Sequence, residues 1–154
     1  MIRSLVLLIA TLLTTPLTAN WHVLAPHDSR QSSPPEIVDG GSPIKPGDSW
    51  PQDSKFRWLI GILDVPQDVN GRPTMGKPIG LRVQCGDGGE IWLNGKLCSR
   101  FDNDHPALVL IQKHAVPGTT IRIDVQVYGK VQGGDRFGEA RWSIINPQRA
   151  LEIV

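Results

Sequence analysis

The sequence is poor in net charge and in the basic clusters that nucleic-acid binding requires. Its 154 residues carry 16 Lys and Arg against 15 Asp and Glu. A protein that neutralises nucleic-acid phosphates needs Lys and Arg concentrated on one surface, because displaced counterions supply most of the affinity. The balance therefore argues against a nucleic-acid partner and against attraction to an anionic membrane surface.

The sequence also lacks an apolar run long enough to cross a bilayer. The chain opens with an apolar stretch over residues 5–13, after the single charge of Arg3. Pro16 interrupts it before the roughly 17 residues that a spanning helix needs. A short apolar stretch that ends in small residues at Ala19 is typical of a secretory signal peptide. We therefore predict that residues 1–19 are a cleaved signal peptide and that the product is secreted or periplasmic, with no membrane contact.

Cysteine is scarce, and the spacing of the two residues disfavours a disulfide. An exported protein meets an oxidising compartment, so Cys85 and Cys98 have to be considered as a pair. An Asn-Gly turn would put Cys98 opposite Ile91, and a preceding glycine-rich turn would put Cys85 opposite Glu90. The sulfurs would then flank one strand and point to opposite faces, beyond the ~7 Å Cα limit for a bridge.

A sustained apolar period of 3.6 residues is absent, which argues against a helical domain. Short apolar runs separated by turn residues predict instead an all-β fold, an antiparallel β-sandwich or jelly roll over residues 54–147. Asn94-Gly95 predicts a type I′ hairpin, because these residues tolerate the two positive φ angles that the turn needs. The predicted strands cover residues 56–65, 79–85, 90–93, 96–98, 107–111, 121–128 and 140–145.

The run over residues 121–128 has the clearest strand pattern, since apolar and polar side chains alternate along it. The apolar set is predicted to face the core: Ile121, Ile123, Val125 and Val127. The polar set is predicted to face outward: Arg122, Asp124, Gln126 and Tyr128.

The two ends of the chain do not show this pattern of short apolar runs separated by turn residues. Residues 20–53 are crowded with Pro, Ser, Gly and Asp, which predicts a linker or an irregular wrap around the sandwich. Within this segment, only Trp21 and Trp50 indicate that it is anchored to the sandwich. Residues 148–154 are predicted to form a C-terminal tail.

Three segments in this order resemble the galactose-binding-domain-like β-sandwich, a jelly-roll module attached to secreted glycoside hydrolases. They are Phe56-Arg57-Trp58, the stretch Glu90–Lys96 with its Asn-Gly-Lys ending, and the turn and strand over residues 117–127. The resemblance covers residues 56–146. It implies a secreted, non-catalytic module that binds carbohydrate or supports a sugar-active enzyme. Thr119 departs from the pattern, because many relatives have Asn there.

Signals for catalysis are weak, so we predict no catalytic residue and no cofactor. Catalysis needs a paired acid and base or an activated nucleophile in one pocket, and no Gly-x-Ser-x-Gly elbow occurs. The carboxylates fall where turns and solvated strand faces favour them. A small secreted hydrolase with two carboxylates in one cleft is kept as an alternative.

A polar loop offers a weak signal for structural calcium. Asp102, Asn103 and Asp104 supply oxygen ligands next to His105. The full twelve-residue calcium loop with its terminal Glu is absent, so a simple polar turn is the favoured interpretation.

Carbohydrate binding usually combines an aromatic platform with polar side chains that bond the hydroxyls. Trp92 takes the face opposite to Ile91 and Leu93, so it stacks on a ligand if that face is open, or packs under the N-terminal segment if it is covered. The candidate ligand-binding residues are Trp92 and Tyr128 for stacking, with Asp102, Asn103, Asp104 and Asp135 for hydrogen bonds. The expected partner is a carbohydrate or a catalytic domain or protein. The alternative is a docking module with an exposed apolar patch.

Overall fold

Strands account for all the regular secondary structure of the described residues. The computed structural model describes residues 21–36, 41–129 and 135–146. The predicted signal peptide, residues 1–19, and the predicted tail, residues 148–154, lie outside them. None of the described segments is a helix long and apolar enough to cross a membrane. The strands are β1 Trp21–Val23, β2 Ser42–Ile44, β3 Phe56–Asp64, β4 Asp68–Val69, β5 Arg72–Pro73, β6 Ile79–Cys85, β7 Gly88–Leu93, β8 Lys96–Asp102, β9 Ala107–Gln112, β10 Thr120–Tyr128 and β11 Phe137–Ile144.

Two antiparallel sheets pack face to face, which confirms the predicted β-sandwich. The large sheet has the order β2-β1-β3-β10-β7-β8, and the small sheet has the order β11-β6-β9. β4 and β5 form a separate short hairpin. Apolar side chains from both sheets fill the space between them, among them Leu59, Leu81, Val83, Ile91, Ile123, Val125 and Phe137.

The predicted Asn-Gly hairpin joins β7 to β8. Asn94 and Gly95 have φ angles of 50° and 84°, as a type I′ turn requires. The register shifts beyond the turn, so that Ile91 pairs with Ser99 and not with Cys98. The Cys98 thiol instead donates to the carbonyl oxygen of Ile91 at 3.4 Å. The predicted hairpin is confirmed, and the predicted partner of Cys98 is wrong by one residue because of this bulge.

The second predicted turn, through the glycines after Cys85, does not form a hairpin. β6 pairs with β9 and β11 in the small sheet, whereas β7 pairs with β8 and β10 in the large sheet. Cys85 therefore lies opposite Phe137 and not opposite Glu90. Both cysteines are free thiols, with Cys85 buried and Cys98 exposed. Burial raises the pKa of the Cys85 thiol.

The alternation along β10 is confirmed, but its outer face is covered. Its apolar side chains are buried between the sheets, as predicted. Two of the outward side chains, Asp124 and Gln126, are only 0% and 2% exposed. They do point away from the core, but residues 24–36 lie over them. We call residues 24–36 the N-terminal strap.

The predicted linker is an integral part of the large sheet. β1 pairs with β3, and β2 pairs with β1, so the region contributes two strands. Trp21 is buried with its ring centroid 5.1 Å from that of Phe137, in an edge-to-face arrangement. Trp50 is also buried in the core cluster. The described part of residues 20–53 therefore belongs to the sandwich.

A buried ion pair holds the end of this region against β3. The Arg57 side chain is 5% exposed, and its guanidinium donates to both carboxylate oxygens of Asp53, at 2.8 and 2.5 Å. These hydrogen bonds lower the pKa of Asp53 to about 2. Removing either partner leaves a charge without its counterpart, and for Arg57 that charge is buried.

We predict that Trp21→Ala costs about 3 to 5 kcal/mol of unfolding free energy, because a large side chain leaves a cavity between the sheets. Urea denaturation measures the loss. Trp142→Ala is the matched control and should lose less, since Trp142 is only partly buried. A loss below about 1 kcal/mol for Trp21→Ala would mean that residues 20–53 are a dispensable tether after all.

We also predict that Asp53→Asn lowers stability at neutral pH by about 1 to 2 kcal/mol, allowing for solvent screening at the partly exposed carboxylate. The folded pKa of Asp53 is about 2, below its ordinary value of 3.8. The ion pair therefore contributes fully above pH 4, and its contribution disappears as the pH falls through 2. Urea midpoints of both proteins between pH 7 and pH 2 should converge at the acid end. A constant difference across that range would contradict the assignment.

Candidate functional site

The outer face of the large sheet is covered by the strap through hydrogen bonds centred on Gln126. The Gln126 side-chain oxygen accepts from the backbone amide of Gln31 and from Nε2 of His27, both at 2.8 Å. Its side-chain nitrogen donates to the Gln31 carbonyl at 2.9 Å. Because the amide oxygen can only accept, His27 carries its proton on Nε2. The strap is therefore held at the middle of β10, and this face is closed to a large ligand.

A charged group fastens the strap one strand further along the sheet. The Arg30 guanidinium donates to both carboxylate oxygens of Glu90, and Arg100 donates to one of them at 3.2 Å. The hydrogen bond from Arg30 is the largest cause of a lowered pKa of Glu90. Glu90 thus stays ionised beneath the strap and serves as its anchor.

Trp92 is buried and is not available as an open stacking platform. Its exposed fraction is 3%, and its ring centroid lies 5.0 Å from that of Trp58. These two residues form an apolar cluster with Ile60, against which Leu24 of the strap packs. The interpretation in which Trp92 is exposed to a ligand is therefore wrong. The alternative, packing under the N-terminal segment, describes its position.

Tyr128 and Asp102 lie at one end of the outer face. The register pairs Gly88 with Tyr128 on one side and with Asp102 on the other, so both flank the same glycine. The Tyr128 ring packs against Phe56 with 5.0 Å between centroids. The structure brings these two predicted residues onto one row of the sheet, separate from the covered Trp92.

Asp102 organises its own turn. One of its carboxylate oxygens accepts from the backbone amides of Asp104 and His105, both at 2.9 Å, and lies 2.8 Å from Nδ1 of His105. The hydrogen bond to His105 is the main cause of a lowered pKa of Asp102. Asn103 donates to Asp87 at 3.2 Å. In the part of the chain that the structure describes, no group of three or more His, Cys, Asp or Glu side chains is placed to hold a metal ion.

Asp135 lies beside a different part of the chain. Its carbonyl oxygen accepts from the backbone amide of Trp50 at 2.8 Å, next to the bridge between Ser49 and Arg136. The six predicted residues therefore do not share one pocket. Residues 132–134, the first part of the polar loop over residues 132–138, lie outside the described residues.

A groove opens where the edge strands β2 and β11 of the two sheets meet. Trp142 of β11 lines two adjacent cavities there, which enclose about 480 and 410 Å³. We call this surface the Trp142 groove. The cavity on the β2 side is lined by Trp21, Pro43, Ile44, Lys45, Pro46, Asp48, Leu63, Leu81, Ala140 and Trp142. The cavity on the side of the β4-β5 hairpin is lined by Val69, Asn70, Arg72, Trp142, Ser143 and Ile144.

Polar side chains flank the partly buried Trp142 on both sides. Lys45 and Asp48 form an exposed ion pair at 3.6 Å on one side, and the backbone amide of Lys45 also donates to Asp48 at 3.1 Å. Asn70 and Arg72 lie on the other side. An aromatic ring with a carboxylate, an amide and two cationic groups around it can stack on an apolar ligand face and bond hydroxyl groups.

The groove was not predicted, although the sequence of β11 contains part of the pattern that produces it. Ala140, Trp142 and Ile144 alternate with polar residues, which places Trp142 on the core face. That pattern predicts a buried tryptophan. Trp142 is partly uncovered because β11 is an edge strand, and an edge position depends on long-range strand order that local pattern does not contain.

Comparison of the chain with protein-family models, with curated proteins and with solved structures finds no match. The functional assignment therefore depends on the residues of this chain and their geometry.

We predict that Gln126→Ala lowers the free energy of unfolding by about 2 to 3 kcal/mol, since it removes three hydrogen bonds to the strap. Weaker attachment of the strap should also move the tryptophan fluorescence to longer wavelength, because Trp58 and Trp92 become more exposed. Gln84→Ala is the matched control, since Gln84 makes one exposed hydrogen bond, to Asn103. Equal effects of the two substitutions would contradict the role of Gln126 as the attachment point.

Proposed function

We propose that this protein is a secreted, non-catalytic β-sandwich module that binds carbohydrate in the Trp142 groove, as an accessory to a sugar-active enzyme. The observation that carries the proposal is the position of Trp142 between two concave surfaces that both have polar rims. The resemblance to galactose-binding-domain-like modules supports the same conclusion, and so does the signal-peptide pattern of residues 1–19.

The size and chemistry of the groove suit a sugar better than a lipid or a nucleotide. Each of its two cavities has the volume of a small-molecule site. An indole ring can cover the apolar face of a pyranose, while Asp48 and Asn70 can accept from its hydroxyls and Lys45 and Arg72 can donate to them. Because Trp142 belongs to both cavities, two neighbouring sugar units could share it.

The groove favours binding over hydrolysis. Glycoside hydrolysis usually requires two carboxylates on either side of the scissile bond. Among the described residues that line the groove, Asp48 is the single acidic side chain, and it is already paired with Lys45. This arrangement supports a non-catalytic role.

A docking module receives less support from the surface. Docking faces present contiguous apolar area of several hundred Å². Within the described residues, the large hydrophobic side chains that are exposed are Met75, Leu97 and Val116. Three single side chains provide less apolar surface than a broad docking face requires.

We predict that Trp142→Ala weakens carbohydrate binding at least about tenfold, because the stacking platform is lost. The measurement is a glycan-array screen of the purified chain, followed by affinity electrophoresis against the polysaccharides that bind. Trp142→Phe should keep part of the affinity, since a smaller ring still stacks.

Leu97→Ala is the control for removal of an exposed apolar side chain outside the groove, and it should bind as the original chain does. Thermal melts establish that each variant is folded. Failure of the original chain to bind any glycan would overturn the proposal, and so would full binding by folded Trp142→Ala.

A further inference from the structure

Asp124 places an unsatisfied carboxylate oxygen on the outer face of the large sheet. It lies in β10 between Ile60 of β3 and Trp92 of β7, which are its register partners. Its residue is 0% exposed. Oδ1 accepts from Nε of Arg122 at 2.9 Å, whereas Oδ2 has no hydrogen-bond partner among the described residues. A buried acceptor in that state is destabilising, and more so when it is charged.

The neighbouring guanidinium does not reach this oxygen, because its two terminal nitrogens are held against the strap. Nη1 of Arg122 donates to the carbonyl oxygen of Glu36 at 3.0 Å, and Nη2 donates to that of Pro35. These bonds fix the guanidinium against the end of the strap. Arg122 therefore supplies positive charge beside Asp124, and the donor for Oδ2 has to come from elsewhere.

A cavity of about 450 Å³ adjoins Asp124 under the end of the strap. Its wall includes the hydroxyl-bearing Ser33 and the apolar rings of Pro34 and Pro35, with the Asn94-Gly95 turn on the other side. A water molecule takes up about 30 Å³ in the liquid, so the space exceeds what one bridging water fills. It falls within the range of small-molecule sites.

Three charged side chains line the cavity, the carboxylates of Asp124 and Glu36 and the guanidinium of Arg122. Arg122 compensates the Asp124 carboxylate at hydrogen-bonding distance. At Oδ2 a ligand ammonium would lie next to that guanidinium, whereas a hydroxyl donates there without adding charge, and further hydroxyl groups can donate to Glu36. The proline rings offer apolar contact to a carbon skeleton.

We propose that this cavity is a second binding site, which takes a small neutral polyhydroxy compound with one hydroxyl donating to Oδ2 of Asp124. The site is separate from the Trp142 groove, and it stands on Asp124, Arg122 and residues 33–36 alone. Its existence does not depend on carbohydrate binding in the groove.

The test uses glycerol, myo-inositol and galactose as probes, with saturation-transfer NMR and calorimetry on the purified chain. We expect Asp124→Asn to weaken binding of the best probe at least about tenfold, because the charged acceptor is lost. Asp28→Asn, the same change at a side chain that is 89% exposed, should leave the affinity unchanged.

A second variant keeps the test decisive if Asp124→Asn does not fold. Ser33→Trp fills the cavity from the exposed strap and leaves Asp124 and Arg122 in place, so it should also abolish binding. Repeating both variants in a Trp142→Ala background removes any contribution from the groove. Binding that persists in folded Asp124→Asn and Ser33→Trp overturns the proposal. Absence of saturable binding by all three neutral probes overturns it too, and assigns Oδ2 to a water molecule.

Discussion

The clamp between Gln31 and Gln126 is the interaction on which the outer half of this structure depends. A buried side-chain amide needs partners for both its oxygen and its nitrogen, and Gln31 supplies one for each from its backbone. The side-chain oxygen of Gln31 also accepts from Nε1 of Trp58, at 2.6 Å. One residue of the strap thus satisfies polar groups on two neighbouring strands of the large sheet.

This constraint explains how polar and aromatic residues can share a buried face. Glu90, Asp124 and Gln126 would be costly under an apolar cover. The strap supplies polar atoms that hydrogen-bond to Glu90 and Gln126, while its Leu24 packs on the tryptophan cluster. Asp124 is the exception, because Arg122 satisfies only one of its oxygens. The cavity beside Asp124 is therefore a place where the strap and the sheet are not fully complementary.

Closure of the outer face also determines where ligands can reach the molecule. The large sheet is covered on one side by the small sheet and on the other by the strap. Among the described residues, two of the concave surfaces that remain lie at the open side of the sandwich and at the end of the strap. The first of these carries Trp142 with flanking polar groups, and the second carries Asp124. The two differ in chemistry, since one offers an aromatic surface and the other a buried acceptor.

Local pattern was sufficient for the longer strands between residues 56 and 145, for the Asn94-Gly95 turn and for the core side of β10, because side-chain alternation and turn conformation depend on near neighbours along the chain. The sequence by itself therefore determined an antiparallel sandwich and the core-facing side chains of β10. It did not determine which strands became edges or what covered the outer face. Trp92 is buried because residues some sixty positions earlier cross over it, and Trp142 is partly open because no strand of the described residues pairs with the outer edge of β11. Only the tertiary structure decided these points, since burial of an outward side chain depends on contacts between segments far apart in the chain.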